Sequence, residues 1–167
     1  LWSLGNEAGK GENLLHARRE VLRIDNTRPI HYHSNEDYSD LDSWMYPWIP
    51  DLHERAAKDT GRPLVMIEYA HSMGNAVGNL REYVEAIERH PRLIGGFLWD
   101  WVDQGIARIT EDGERYFAYG GDFGDRPTDG NFCMNGTLFA DRSITPPFRE
   151  ARTLYSPVIF SSTGPES

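Results

Sequence analysis

Leu64-Val65-Met66-Ile67-Glu68-Tyr69 places four consecutive apolar residues directly before a carboxylate. The run follows the turn Thr60-Gly61-Arg62-Pro63 and includes β-branched residues, which predicts a strand covered on both faces. Downstream, Gly78 and Asn79 open a helix carrying Leu80, Tyr83, Val84 and Ile87 on one face and ending at His90-Pro91. Leu93 to Trp101 then supplies a second buried strand. Upstream, a helix is expected over Leu52 to Lys58, and a strand over Leu41 to Tyr46, ended by the Pro47 to Pro50 segment. A short strand is expected over Ile30 to Ser34, and before it a helix over Asn13 to Asp25, with Leu14, Ala17, Val21 and Leu22 at helical spacing and Asn13 as N-cap. Leu1-Trp2-Ser3-Leu4 reads as the tail of another strand. Tyr119 to Asp125 is Gly-rich loop, and Pro146 starts a final helix. About five strands alternating with amphipathic helices predict an α/β fold with a parallel sheet, whose ligands gather at the carboxyl ends of the strands.

The 167 residues, 39% hydrophobic and 26% charged, suffice for the core of one ordinary domain. A formal net charge of −9 offers no basic field to phosphate backbones or anionic lipid, so no nucleic-acid partner is expected. The longest apolar runs are broken by Glu68 and Asp100, so no membrane-spanning segment is expected. The single cysteine, Cys133, excludes an internal disulfide framework and leaves no zinc-finger spacing to count. The chain opens without Met in what reads as the middle of a strand, and the expectation is a piece of a larger polypeptide.

Two carboxylates stand after an apolar stretch and before a Gly-containing loop: Glu7 in Trp2-Ser3-Leu4-Gly5-Asn6-Glu7, and Glu68. A carboxylate at the end of a buried strand is costly unless it is hydrogen-bonded or paired. Each alone could cap a helix or pair with an Arg. Two acids together suit hydrolysis of a glycosidic bond, one protonating the leaving oxygen while the other attacks the anomeric carbon or activates water.

Four blocks carry a more specific signal: Trp2-Ser3-Leu4-Gly5-Asn6-Glu7-Ala8-Gly9, Ile67-Glu68-Tyr69-Ala70-His71-Ser72-Met73-Gly74-Asn75, Gly95-Gly96-Phe97-Leu98-Trp99-Asp100-Trp101-Val102-Asp103-Gln104 and Phe132-Cys133-Met134-Asn135-Gly136. In this order they resemble the catalytic domain of the glycoside hydrolase family 2 β-galactosidases. The resemblance covers nearly the whole chain. It implies a partial (β/α)8 TIM barrel, approximately strands 4 to 8 with the C-terminal loops and last helix. Residues 1–167 would then be the C-terminal portion of the catalytic domain, since a complete barrel takes roughly 250 residues.

By the same resemblance, Glu7 is the general acid/base and Glu68 the nucleophile of a retaining double displacement that releases terminal β-galactose, lactose being one such substrate. Asn6 would hydrogen-bond the sugar 2-hydroxyl, Tyr46 and His71 would lie beside the sugar, and Trp99 would form an apolar wall. Glu7 would also ligate Mg²⁺, while the Phe132 carbonyl and the Asn135 side chain would serve a Na⁺ site and Asn135 the sugar pocket. A homo-oligomer is implied for the full-length enzyme, and the cytoplasm is the expected compartment.

Read from the residues alone, Trp99 fits a core position as well as a pocket wall, with Trp2, Trp44, Trp48 and Trp101 as further aromatic candidates. His31 and His33 share a strand face but have no third ligand nearby in sequence, and read as structural. Asp100 and Asp103 read as acceptors that fix their loop. Gly120-Gly121-x-x-Gly124 lacks the Lys of a phosphate loop and is turn chemistry. Two other readings stay open: a family 2 glycosidase for another sugar, such as a β-glucuronide, and a non-catalytic carbohydrate-binding piece. With the first barrel strands absent, the chain alone is expected to show little activity.

Overall fold

The computed structural model describes residues 1–33, 36–158, 160 and 164, so the Ser34 end of the expected Ile30 to Ser34 strand lies outside the described residues. Five parallel strands appear where strands were expected. β1 (Trp2–Ser3) pairs with β2 (Ile30–His31), and β3 (Asp42–Met45), β4 (Leu64–Tyr69) and β5 (Leu93–Leu98) form a sheet in that order. Four helices accompany them: α1 (Glu12–Ile24), α2 (Ile49–Ala57), α3 (Leu80–Arg89) and α4 (Pro146–Leu154).

Local chemistry explains where boundaries differ from expectation. α1 begins before Asn13, with Gly11 in the cap position and no side-chain cap, so Asn13 is a helical residue and not the N-cap. α2 starts at Ile49 and not at Leu52, because Pro50 sits in the first turn, where its missing N–H leaves no hydrogen bond unmade. α4 begins at Pro146 behind Thr145, whose hydroxyl accepts the Phe148 N–H at 3.3 Å. β4 runs on to Tyr69, which puts Glu68 inside the strand. An antiparallel hairpin, β6 (Ile106–Ile109) and β7 (Arg115–Ala118), adds to the expected elements; its turn is signalled by Asp112-Gly113, with Gly113 at φ 87°.

The core lies between the sheet and its helices. Leu64 and Met66, two apart on β4, pack with Leu93 against Leu52 and Ala56 of α2, Leu80 and Ala86 of α3, and Ala151 of α4. Gly96 of β5 passes so close to Tyr69 that a Cβ there would stand 2.9 Å from the ring. At the amino ends of the strands, Arg92 ties three segments together. It pairs with Asp42, which opens β3, and donates to the carbonyls of Arg55 and Arg62, each at 2.7 Å. Arg55 also reaches Asp42 at 3.0 Å.

The described strands do not close a barrel. β5 is an edge of its sheet, with Phe97 57% exposed, and α1 buries none of its residues, leaving Ile24 76% exposed. A helix flanking a parallel sheet is covered only where strands lie beneath it on both sides, which α1 lacks among the described residues.

Candidate active site

The carboxyl ends of β1, β3 and β4 bring three of the expected residues into direct contact. Tyr46, just beyond β3, donates its hydroxyl to Glu68 Oε2 at 2.8 Å, and Asn6, beyond β1, donates its amide to Glu68 Oε1 at 3.4 Å. The Tyr46 backbone N–H donates to the Glu68 carbonyl at 2.8 Å, extending the pairing in which Met45 stands opposite Glu68. Both Glu68 oxygens thus have a donor, which answers the cost of placing a carboxylate in a buried strand. The donors come from segments 62 and 22 residues away.

The backbone is unusual at this place. Among the described residues, five non-glycine positions have positive φ, and three surround Glu68: Glu7 at 51°, Tyr46 at 45° and Ala70, two residues after Glu68, at 51°. Such conformations are uncommon outside glycine and cluster where a fold must aim particular side chains.

Charge converges on the same point. Burial raises the Tyr46 hydroxyl pKa well above the usual tyrosine value; the hydrogen bond and charge of Glu68 add to this, as do the charges of Glu7 and Asp100. Glu7, with Asn6 beside it in the chain, therefore acts electrostatically on the phenol that holds Glu68. A row of rings borders the carboxylates: Tyr46 and His71 have centroids 5.8 Å apart, and His71 stacks on Phe132 at 5.6 Å.

The remaining expected residues are joined less directly. Trp99 receives no contact from the carboxylates among the described interactions. Its N–H donates to the Tyr69 carbonyl at 3.1 Å and its carbonyl accepts from Ser72 at 2.7 Å. It lines an apolar cavity of about 800 Å³ with Ile67, Phe97, Trp101, Phe148 and Tyr155 at the open edge of β5. Asn135 is buried, and its side-chain oxygen accepts from Gln104 at 3.3 Å. Gln104 also donates to Asp100 at 3.0 Å, and the Asp100 N–H donates to the Asn135 carbonyl at 2.8 Å. Gln104 thus fastens the loop after β5 to Asn135, a role that sequence reasoning misses although the residue closes the third sequence block. Asp100 and Asp103 act as loop-fixing acceptors, Asp103 from the Gly136 N–H at 2.8 Å.

The imidazoles of His31 and His33 are taken by neighbouring hydroxyls, Ser3 at 3.1 Å and Ser43 at 3.2 Å. Among the described residues, no group of three or more His, Cys, Asp or Glu could hold a metal ion. Of the residues expected to serve the ions, Glu7 alone would face magnesium, and Phe132 with Asn135 would offer two oxygens to sodium, fewer than hard cations gather. The residues present do not form either ion site by themselves.

Three comparisons with known proteins bear on this arrangement. The model of the family "Glycosyl hydrolases family 2, TIM barrel domain" matches residues 1–160. A β-galactosidase of Priestia megaterium is 44% identical over 170 residues, covering 99% of this chain and 16% of the relative. A β-galactosidase of Enterobacter cloacae is 43% identical over 166 residues, covering 90% of this chain and 16% of the relative. Among solved structures, a family 2 β-galacturonidase of Eisenbergiella tayi bound to galacturonate superposes with a TM-score of 0.60 at 16% identity, over 92% of this chain and 32% of that one. A β-glucuronidase of Ruminococcus gnavus in complex with uronic deoxynojirimycin gives 0.59 at 14% identity, over 92% and 32%. At such identities the likeness is one of fold. The chain spans about 16% of the length of the curated relatives it matches.

Proposed function

Because the chain belongs to the glycosyl hydrolase family 2 TIM-barrel family, we propose that it carries the reacting carboxylates of a retaining β-galactosidase, which the complete enzyme uses to release terminal β-D-galactose. The observation that carries this reading is the doubly held Glu68, with Glu7 next to one of its two donors. In the proposed first step, Glu68 attacks the anomeric carbon while Glu7 gives its proton to the departing oxygen, leaving a glycosyl ester on Glu68. In the second, Glu7 takes a proton from water, which displaces Glu68 and restores the starting state. Tyr46 and Asn6 keep the Glu68 carboxylate aimed, and Asn6 would also meet the sugar 2-hydroxyl. His71 and Phe132 border the sugar. Magnesium at Glu7 or sodium at Phe132 and Asn135 would need oxygen donors from beyond the described residues.

Galactose is favoured over a uronic acid because the relatives near 40% identity are named β-galactosidases, whereas the uronidases share only the fold. The open edges of the sheet support assigning turnover to a polypeptide in which further strands complete the barrel, with the 167-residue chain alone having little activity.

A 2-fluoro-galactoside that traps the glycosyl-enzyme tests the assignment. In the complete enzyme it should label Glu68, and Glu68→Gln should abolish turnover. Glu7→Gln should spare the first step for substrates whose leaving group needs no proton, slow it for the others, and slow hydrolysis of the glycosyl-enzyme for all of them. A label on any other residue would overturn the roles of both glutamates.

A further inference from the structure

We propose that Tyr83 of α3 is a positioning residue for the nucleophile, bracing from behind the turn that brings Tyr46 onto Glu68. The proposal rests on the galactosidase reading above and deepens it. Tyr83 touches the chain neighbour of each member of that pair. Its hydroxyl donates at 2.8 Å to the carbonyl of Pro47, next to Tyr46, and its ring meets that of Tyr69, next to Glu68, edge to face with centroids 5.1 Å apart.

The turn needs holding. Tyr46 has φ 45°, a left-handed conformation that is costly for a residue with a side chain, and the proline after it favours extended backbone instead. Such a conformation persists only where its surroundings impose it. One tie is the bond from the Tyr46 N–H to the Glu68 carbonyl. Pro47 brings no N–H, so its carbonyl is the only polar group by which its own backbone can be fastened, and among the described bonds no backbone donor reaches it. Tyr83 supplies that donor from a helix seated in the core by Leu80 and Ala86. Pro47 is fully buried, so without the hydroxyl a buried carbonyl is left unpaired one residue from Tyr46. The hydroxyl of Tyr69 is already engaged with Tyr155 and leaves this task to Tyr83.

The test is Tyr83→Phe, which keeps the ring against Tyr69 and removes the hydroxyl, made in the complete enzyme alone and together with Tyr46→Phe. On a chromogenic galactoside, Tyr83→Phe should lower kcat/KM about threefold to fivefold, the scale of one neutral hydrogen bond. It should slow labelling of Glu68 by the 2-fluoro-galactoside to the same extent, with every chain still taking up label. In the Tyr46→Phe background it should cost almost nothing further, because the hydroxyl it positions is already gone. An equal loss in both backgrounds, no loss in either, less label at an unchanged rate, or failure of Tyr83→Phe to fold would overturn the brace. Absence of turnover by the unsubstituted enzyme would instead overturn the galactosidase reading, and the positioning role with it.

Discussion

The Tyr46 hydroxyl sits 2.8 Å from Glu68 Oε2, and the same residue's N–H donates to the Glu68 carbonyl at 2.8 Å, so one tyrosine grips both the side chain and the backbone of the proposed nucleophile. The grip depends on a left-handed backbone at Tyr46, φ 45°, which turns the chain towards β4 immediately after β3 ends.

Tyr46→Phe keeps the ring and the backbone bond and removes only the hydroxyl. Hydrogen bonds to charged groups contribute about 1.5–3 kcal/mol, and this one is open to solvent, so a fall in kcat/KM of about tenfold is expected in the complete enzyme. Melting temperature should hardly change. Steady-state kinetics on a chromogenic galactoside checks this, and an unaltered kcat/KM would remove Tyr46 from the mechanism.

Arg92→Met acts at the opposite end of the strands. The Arg92 and Asp42 side chains are only 13% and 9% exposed, and removing one partner of a buried ion pair costs about 3–5 kcal/mol. Arg55 still reaches Asp42, so the lower end is expected. Urea unfolding should show a loss of about 3 kcal/mol, with kcat at low temperature preserved because Glu68 is remote from the change.

Gly136→Ala should be the harshest small substitution. A Cβ at Gly136 would stand 2.0 Å from the Asp103 nitrogen and 2.2 Å from the Val102 carbonyl carbon, both backbone atoms that have no rotamer to yield. Overpacking usually costs about 1–3 kcal/mol, and more is expected where only backbone can move. The variant should melt well below the parent and lose activity, because the displaced loop carries Asn135 and its link to Asp100.

Burial, and secondarily the charge of His33, lowers the His31 pKa. The unfolded chain therefore takes up this proton first as pH falls below about 6.5, the usual histidine value, so stability is present above that pH and declines beneath it. Urea midpoints measured from pH 7 down to pH 5 should fall, and His31→Gln should flatten the slope. The side chain is 4% exposed and its Nε2 lacks a partner among the described residues, so a proton on that nitrogen would go unpaired.

Much of the fold is legible in the chain itself. Apolar runs such as Leu64 to Ile67 dictate strands because only a strand covered on both faces accommodates them, and Pro146 or the turn before Leu64 marks where an element must start. Glu7 and Glu68 stand out because a carboxylate so close to an apolar strand demands a partner. The identity of those partners is not legible. That Tyr46 and Asn6 hold Glu68, and that Gln104 fastens Asp100 to Asn135, depends on parallel register and on left-handed turns, which set distances between segments dozens of residues apart. The alternation of residue types fixes which elements form, since periodicity is a local property. Which side chains meet at the strand ends is decided only when those elements pack, because that proximity is a property of the sheet and not of any stretch within it.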